Sequence, residues 1–125
     1  MASDYSPRVR ASVARNTSAS SWLLDRLASD SDTNVRLAVA MNSKASENSL
    51  YRLAGDYNEQ IRSQVAKRSN ISQNVMQRLA TDSNSNIRLQ IASRTDVPVS
   101  ILRSLAHDSD LTVQRTVLNH PSADS

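Results

Sequence analysis

Arginine and aspartate both recur along this chain every 26 residues. Arginine can bind phosphate groups, and an aspartate beside it can neutralise the charge of the arginine. The arginine column consists of Arg10, Arg36, Arg62 and Arg88. The aspartate column consists of Asp4, Asp30, Asp56, Asp82 and Asp108. A basic stripe could hold phosphates, but each of the four arginines follows an aspartate by six residues, and an acidic residue before a helix favours its N-terminus. We therefore interpret the two columns as a structural ladder linking successive repeats. Its predicted members are Asp30, Arg36, Asp56, Arg62, Asp82 and Arg88.

A second set of polar residues changes from repeat to repeat, as recognition positions in repeat proteins do. These residues end the first predicted helix of each repeat and are Arg15-Asn16, Met41-Asn42, Lys67-Arg68, Ser93-Arg94 and Asn119-His120. One helical turn earlier lie Ser12, Ala38, Gln64 and Gln90. We predict that these side chains line an inner, concave face. The candidate partner-binding residues are Gln64, Lys67, Arg68, Gln90 and Arg94. The alternative interpretation of Asn16 and Asn42 is that they end the helix in the left-handed backbone conformation.

Catalytic and metal chemistry has little support in the sequence. The chain has no cysteine, so neither a thiolate-held metal cluster nor a disulfide framework can form. His107 stands beside Asp108, which already belongs to the aspartate column, and His120 lies in the last repeat. The single glycine cannot build a loop that cradles phosphates. We therefore expect no enzymatic activity, no catalytic residue, no metal and no cofactor.

These residues must be positioned by a pair of short helices in every repeat. Asp32 aligns with four other residues whose side chains favour helix N-termini. Those residues are Ser6, Asn58, Asn84 and Asp110. The first helix then presents Val35 and Val39 on one face. A second helix starts near Ser46 and carries Leu50, Leu53 and Ala54 as an apolar stripe.

Each predicted helix has about ten residues or fewer, and helices this short are marginally stable on their own. Each repeat must therefore bury its apolar stripe against the next. A fixed period of this size is typical of stacked repeat architectures. The sequence therefore predicts an all-α fold: a right-handed α-solenoid of about four and a half 26-residue, two-helix repeats. We predict one repeat domain over residues 1–125. Its repeat frames start near Val9, Val35, Ile61, Ile87 and Val113.

The recurring frame V-R-x-x-V-A-x-N followed by L-x-x-L-A-x-D resembles the leucine-rich repeat variant family, and the resemblance covers essentially the whole chain. It implies a right-handed superhelix of alternating α and 3₁₀ helices that serves as an interaction scaffold with no shared enzymatic activity. The family's Thr-Pro before the second helix matches only Val97-Pro98, so the second helix is either α or 3₁₀. The aspartate-to-arginine spacing is also similar to that of HEAT repeats, some of which are DNA glycosylases.

Composition distinguishes only weakly between a protein partner and a nucleic-acid partner. The net charge of +3 allows nucleic-acid binding without requiring it. The inner positions hold no aromatic residues on which bases could stack. We therefore expect a non-enzymatic scaffold that binds protein through the variable concave face. The alternative is a HEAT-like module that binds nucleic acid weakly through inner Arg and Lys. No signal peptide and no apolar run of about 18 residues is visible, so we expect a cytoplasmic protein without a membrane partner.

The last repeat predicts self-association. Val113, Val117 and Leu118 carry the apolar pattern, but no second helix follows to cover them. Apolar surface left in water is unfavourable by about 25 cal/mol per Å². A symmetric contact between two identical ends would bury it. We predict a homodimer joined through this C-terminal repeat, with the N-terminal repeat that carries Trp22 as the alternative.

Overall fold

A computed structural model describes residues 6–122, and the regular secondary structure of that part of the chain is entirely helical. The nine α-helices of this part are α1 (Pro7–Arg15), α2 (Ser21–Leu27), α3 (Thr33–Met41), α4 (Glu47–Leu53), α5 (Glu59–Lys67), α6 (Gln73–Ala80), α7 (Ser85–Ala92), α8 (Val99–Leu105) and α9 (Leu111–Leu118). The predicted all-α class is confirmed. Asp4, the first member of the aspartate column, lies outside the described residues.

The helices begin at the residues whose side chains favour helix N-termini. The N-caps of the odd-numbered helices are Ser6, Asp32, Asn58, Asn84 and Asp110, and each accepts a backbone N–H bond. Ser20, Ser46 and Ser72 cap α2, α4 and α6 in the same way. Pro98 is the N-cap of α8 and makes no side-chain bond. The even-numbered helices are α-helices of seven or eight residues, not the 3₁₀ helices that the family resemblance implies.

The helices stack in two layers. Each odd-numbered helix packs on the next odd-numbered one, from α1 to α9, and the even-numbered helices do the same from α2 to α8. The aliphatic residues between the layers are buried, among them Val35 and Val39 of α3 and Leu50 and Leu53 of α4. Such short helices depend on this packing because they are marginal in isolation.

The arginine column bridges successive repeats. The Nε atom of Arg36 donates to Oδ2 of Asp56 at 2.8 Å, and its Nη1 atom donates to the backbone carbonyl of Asp30 at 2.8 Å. The same two bonds recur at Arg62, with Asp82 and Asp56, and at Arg88, with Asp108 and Asp82. Spacing along the chain predicted that each arginine pairs with the aspartate six residues before it. That residue supplies only its carbonyl, and the paired carboxylate lies twenty residues after the arginine.

Each of these carboxylates also holds the turn that leads into the next helix. Oδ1 of Asp56 accepts the backbone N–H of Asn58, the N-cap of α5, at 2.8 Å. In the last repeat Gln114 stands in the arginine column and donates to the carbonyl of Asp108. The aspartate column therefore fixes both the preceding repeat and the helix start that follows it.

The even-numbered layer has a polar contact that the sequence analysis missed. Asp25 of α2 accepts the hydroxyl of Ser46 at 2.6 Å and the hydroxyl of Ser49, a buried residue of α4. The bonds from Ser46 and Ser49 lower the pKa of the Asp25 carboxyl. This contact ties the first two helices of the layer together.

Replacing Arg62 by alanine should destabilise the fold. The Asp82 carboxylate, whose side chain is 4% exposed, would be left with the N–H of Asn84 as its donor. Removing one partner of a buried pair leaves an uncompensated charge, so we expect a loss of about 3 kcal/mol in the free energy of unfolding. Urea denaturation followed by circular dichroism measures it. Arg103→Ala, on the exposed side of α8, is the control and should change stability by less than about 0.5 kcal/mol. Equal stability of the two variants would contradict the ladder.

Acid should weaken the fold through the same carboxylates. The hydrogen bond from Arg88 lowers the pKa of Asp108. Burial opposes ionisation of Asp30, yet the bonds from Arg10 and from the Asp32 N–H hold the pKa of Asp30 below its usual value. A lowered carboxyl pKa adds stability above the unfolded-state pKa, and this stability is lost as the pH falls through the folded-state pKa. We expect the free energy of unfolding to decrease once the pH is lower than about 4.

Urea denaturation over a series from about pH 7 to about pH 3 tests this expectation. The variant Asp108→Asn is the control, because it removes one of the titrating groups. It should be less stable than the wild type at neutral pH and should lose less stability in acid. A wild type with constant stability across the series would refute the prediction.

Candidate functional site

The variable residues at the ends of the odd-numbered helices lie at different depths. Lys67 of α5 is exposed, and Gln64 and Gln90 are half-buried. The amide of Gln90 contacts Ser63 across the α5–α7 contact, with its Nε2 atom 3.1 Å from the hydroxyl. The side chains of Gln64 and Lys67 make no hydrogen bond to any part of the chain that the structure describes. These two side chains are therefore available to a partner, and Gln90 is partly engaged.

Arg68 and Arg94 make contacts inside the protein. The Nη1 atom of Arg68 donates to the carbonyls of Ala40 and Asn42, at 2.9 Å each. The Nη1 atom of Arg94 donates to the carbonyls of Ala66, at 3.0 Å, and Arg68, at 2.6 Å. Both arginines thus hold the last turn of the preceding odd-numbered helix. A role for them in partner binding stays a prediction, and any partner must share the guanidinium with these carbonyls.

The same position holds the preceding repeat throughout the chain. Asn42 donates from Nδ2 to the carbonyls of Ala14, at 2.7 Å, and Asn16, at 3.0 Å. In the last repeat the Nε2 atom of His120 lies 2.7 Å from the carbonyl of Arg94. We call this column the clamp residues. They are Asn42, Arg68, Arg94 and His120.

Two clamp residues also accept a backbone N–H two residues later. Oδ1 of Asn42 accepts from Lys44 at 2.8 Å, and Nδ1 of His120 accepts from Ser122 at 3.1 Å. Because Nδ1 of His120 is an acceptor, the proton is assigned to Nε2, which donates to the carbonyl of Arg94. The imidazole therefore reproduces two of the three bonds of the Asn42 amide, those that correspond to Asn16 and Lys44, and has no catalytic partner among these contacts.

The interpretation of Asn16 and Asn42 as left-handed helix terminators is wrong. Their φ angles are −75° and −80°, and both residues are extended. No residue in the range 6–122 has a positive φ. The asparagine at position 42 is explained instead by its side-chain bonds to the preceding repeat. This structural role could have been predicted from the position that recurs every 26 residues, because every residue at that position from Asn42 onwards carries an N–H donor.

Two grooves run between neighbouring odd-numbered helices, and their linings differ. The groove between α1 and α3 has a volume of about 360 Å³ and includes Met41, whose exposed fraction is 63%. It is also lined by Pro7, Arg8, Arg15 and Leu37. The groove between α5 and α7, of about 460 Å³, is lined mostly by polar residues. These include Asn58, Glu59, Gln60, Ser63, Asn86 and Gln90. The exposed side of this layer therefore changes from apolar and basic to amide-rich along the stack.

The even-numbered layer carries a third groove, of about 660 Å³. Arg78 covers one side of it, with its guanidinium 4.6 Å from the Tyr51 ring and a bond of 3.0 Å to the Tyr51 carbonyl. A side chain at Gly55 would collide with Arg78, since a Cβ atom there would lie 1.8 Å from Nη2. Glycine at this position permits the close approach of Arg78.

The last repeat differs from its expected form. Val113 and Val117 are 0% and 4% exposed, so they cannot supply the exposed apolar face that was predicted for a homodimer. Leu118 is 72% exposed, and Leu111, which the sequence analysis missed, is 66% exposed. The exposure of Leu111 could have been predicted from its alignment. It aligns with Thr33 and with other residues at the first position of an odd-numbered helix, and none of these is an apolar residue of the core. A homodimer through Leu118 stays a prediction.

The structure and the comparisons with known proteins add three negative observations. No helix within residues 6–122 has both the length and the apolar character to cross a bilayer. In the same part of the chain, no group of three or more His, Cys, Asp or Glu side chains could hold a metal ion. No protein-family model, no curated protein and no solved structure matches the chain.

Replacing Asn42 by alanine should destabilise the protein. The amide is buried and bonds to the carbonyls of Ala14 and Asn16 in the preceding repeat. Losing the donor leaves the carbonyl of the buried Ala14 unsatisfied, which costs about 1–3 kcal/mol. Thermal and urea denaturation measure the loss. Asn74→Ala, an exposed residue of α6, is the control and should change stability by less than about 0.5 kcal/mol. If both variants unfold like the wild type, the clamp contributes nothing.

Proposed function

We propose that the chain forms a right-handed α-solenoid of about four and a half repeats and acts as a non-enzymatic scaffold that binds another protein. The observation that carries this proposal is the contrast between the two sides of the odd-numbered helices. Their buried sides repeat the same aliphatic residues and the same ladder. Their solvent-facing sides, which we propose form the concave binding face, carry side chains that change from repeat to repeat, among them Met41, Gln64 and Lys67.

The lining of the α1–α3 groove favours a protein partner. Protein interfaces combine an apolar centre with a polar rim and are enriched in methionine and arginine. The exposed Met41 and the half-buried Leu37 form the apolar part of this groove, and Arg8 and Arg15 lie at its edge. Methionine adapts its shape readily to a partner surface. The groove thus has the composition of a small interface centre.

The second candidate function is nucleic-acid binding. Arg8, Arg15 and Lys67 are exposed on odd-numbered helices and could contact phosphates. The guanidinium groups of Arg68 and Arg94, however, already donate to backbone carbonyls. The affinity of nucleic acid depends on the number of phosphates that are neutralised, so the few exposed cations on the odd-numbered helices mean weak binding that salt removes. Protein is therefore the favoured partner.

A photo-crosslinking amino acid at position 64 should capture a protein partner in cells. The same group placed at position 77, an exposed glutamine of α6 in the other layer, is the matched control and should capture none. The captured protein is then purified and titrated against the wild type by calorimetry. We expect Lys67→Glu to weaken the complex by at least about tenfold, which corresponds to 1.4 kcal/mol. Gln77→Ala should leave the affinity unchanged.

Two results would overturn the proposal. One is a partner captured from position 77 but not from position 64. The other is specific binding of nucleic acid tighter than about 10⁻⁸ M at physiological salt, measured by titration with fluorescent oligonucleotides.

A further inference from the structure

Arg68 has a hydrogen-bond donor without an acceptor. Its Nε atom is buried and is the one atom of this kind found among the described side chains. Its Nη1 atom is engaged with two carbonyls, and its Nη2 atom makes no bond to the described residues. Burial lowers the pKa of the Arg68 guanidinium, and no carboxylate of residues 6–122 pairs with it. A buried donor left unpaired is unfavourable, so this edge of the guanidinium requires an acceptor.

Arg94, one repeat later, indicates what that acceptor is. Its Nη1 atom binds the carbonyls that correspond to those held by Arg68. Its Nε and Nη2 atoms donate to the two carboxylate oxygens of Asp96, at 2.8 and 2.9 Å. This two-bond arrangement is a strong and geometrically specific form of the arginine–carboxylate pair. At the corresponding place after Arg68 the chain has Asn70, which supplies no carboxylate and makes no bond to Arg68 in the described structure.

The surroundings of Arg68 offer space for a ligand group. A cavity of about 290 Å³ lies between α4 and α6 and is lined by Arg68, Asn70 and Ser72. Asn70 is exposed, so its side chain can move aside without loss of buried contacts. Glu47 also lines the cavity, but it is exposed and forms no ion pair with Arg68 in the described chain.

We propose that Arg68 binds a carboxylate of a protein partner, from an acidic side chain or a C-terminus, in the geometry that Asp96 adopts on Arg94. This inference deepens the proposed function and rests on it only for the source of the carboxylate. A carboxylate is favoured over a phosphate because the chain itself places a carboxylate at the equivalent position of the next repeat.

The Nε–H signals of arginines in ¹⁵N NMR spectra test the site directly on the full chain. The probe is N-acetyl-aspartate amide, with N-acetyl-asparagine amide as the neutral control. We expect the Arg68 signal to shift and saturate with a dissociation constant on the order of 1 mM or weaker. The neutral probe should not move it. Arg68→Asn identifies the signal, and this variant should fold because asparagine already fills the clamp position at Asn42.

Two further variants give matched controls. Asn70→Asp copies the Arg94–Asp96 pair into the third repeat. We expect its Arg68 signal to lie near the saturated position without any probe and to respond no further. Asp96→Asn removes the carboxylate from Arg94, whose Nε–H signal should then acquire a response to the probe.

Four results would overturn the inference. The first is an Arg68 signal that the aspartate probe does not move. The second is an equal shift at the exposed Arg103, which would indicate unspecific binding. The third is a response to inorganic phosphate at a concentration at least about tenfold lower, which would indicate a phosphate site. The fourth is a shift of Arg68 caused by Glu47→Gln alone, which would make Glu47 the acceptor. None of these results affects the scaffold proposal, which the crosslinking at position 64 tests separately.

Discussion

The bond between one arginine and the aspartate of the next repeat fixes how successive helix pairs sit on each other. The buried aliphatic side chains provide the driving force for stacking, but apolar attraction has no preferred direction. The guanidinium of Arg36 does have one, because it binds the Asp56 carboxylate and the Asp30 carbonyl at the same time. The carboxylate in turn orders the N-cap Asn58. Helix packing, helix starts and the spacing of the repeats therefore depend on the same group.

Much of this architecture could be predicted from the sequence because its determinants are local. The caps Asp32 and Ser46 act on backbone groups two or three residues away, and the apolar stripes follow the helical period. The pairing within the ladder was predicted less well. Spacing along the chain favoured the aspartate six residues before each arginine, whereas the carboxylate that binds Arg62 comes from Asp82 in the following repeat. Such a partner becomes visible only when the repeats are stacked.

The candidate site was harder to predict because variation in residue type was taken as a sign of recognition. At Gln64 and Lys67 the variable side chains have no bond to the described protein and remain candidates for binding. At the clamp position, asparagine, arginine and histidine differ in charge and shape but share an N–H donor to the carbonyl of the residue 26 positions earlier. A column can therefore vary widely while its structural task stays constant. Within residues 6–122, only Arg68 combines that task with a buried donor that the fold leaves unpaired.

The reach of the clamp has a consequence for how such a chain can grow. Asn42 bonds to Asn16 and Arg68 bonds to Asn42, so the bonds that these clamp residues make outside their own repeat go to the repeat immediately before. Duplicating or deleting a whole 26-residue unit in the gene would leave every remaining clamp bond with a carbonyl of the same kind. An array can then become longer while each added unit is held by the same kind of contact. The binding surface of the array can change one repeat at a time.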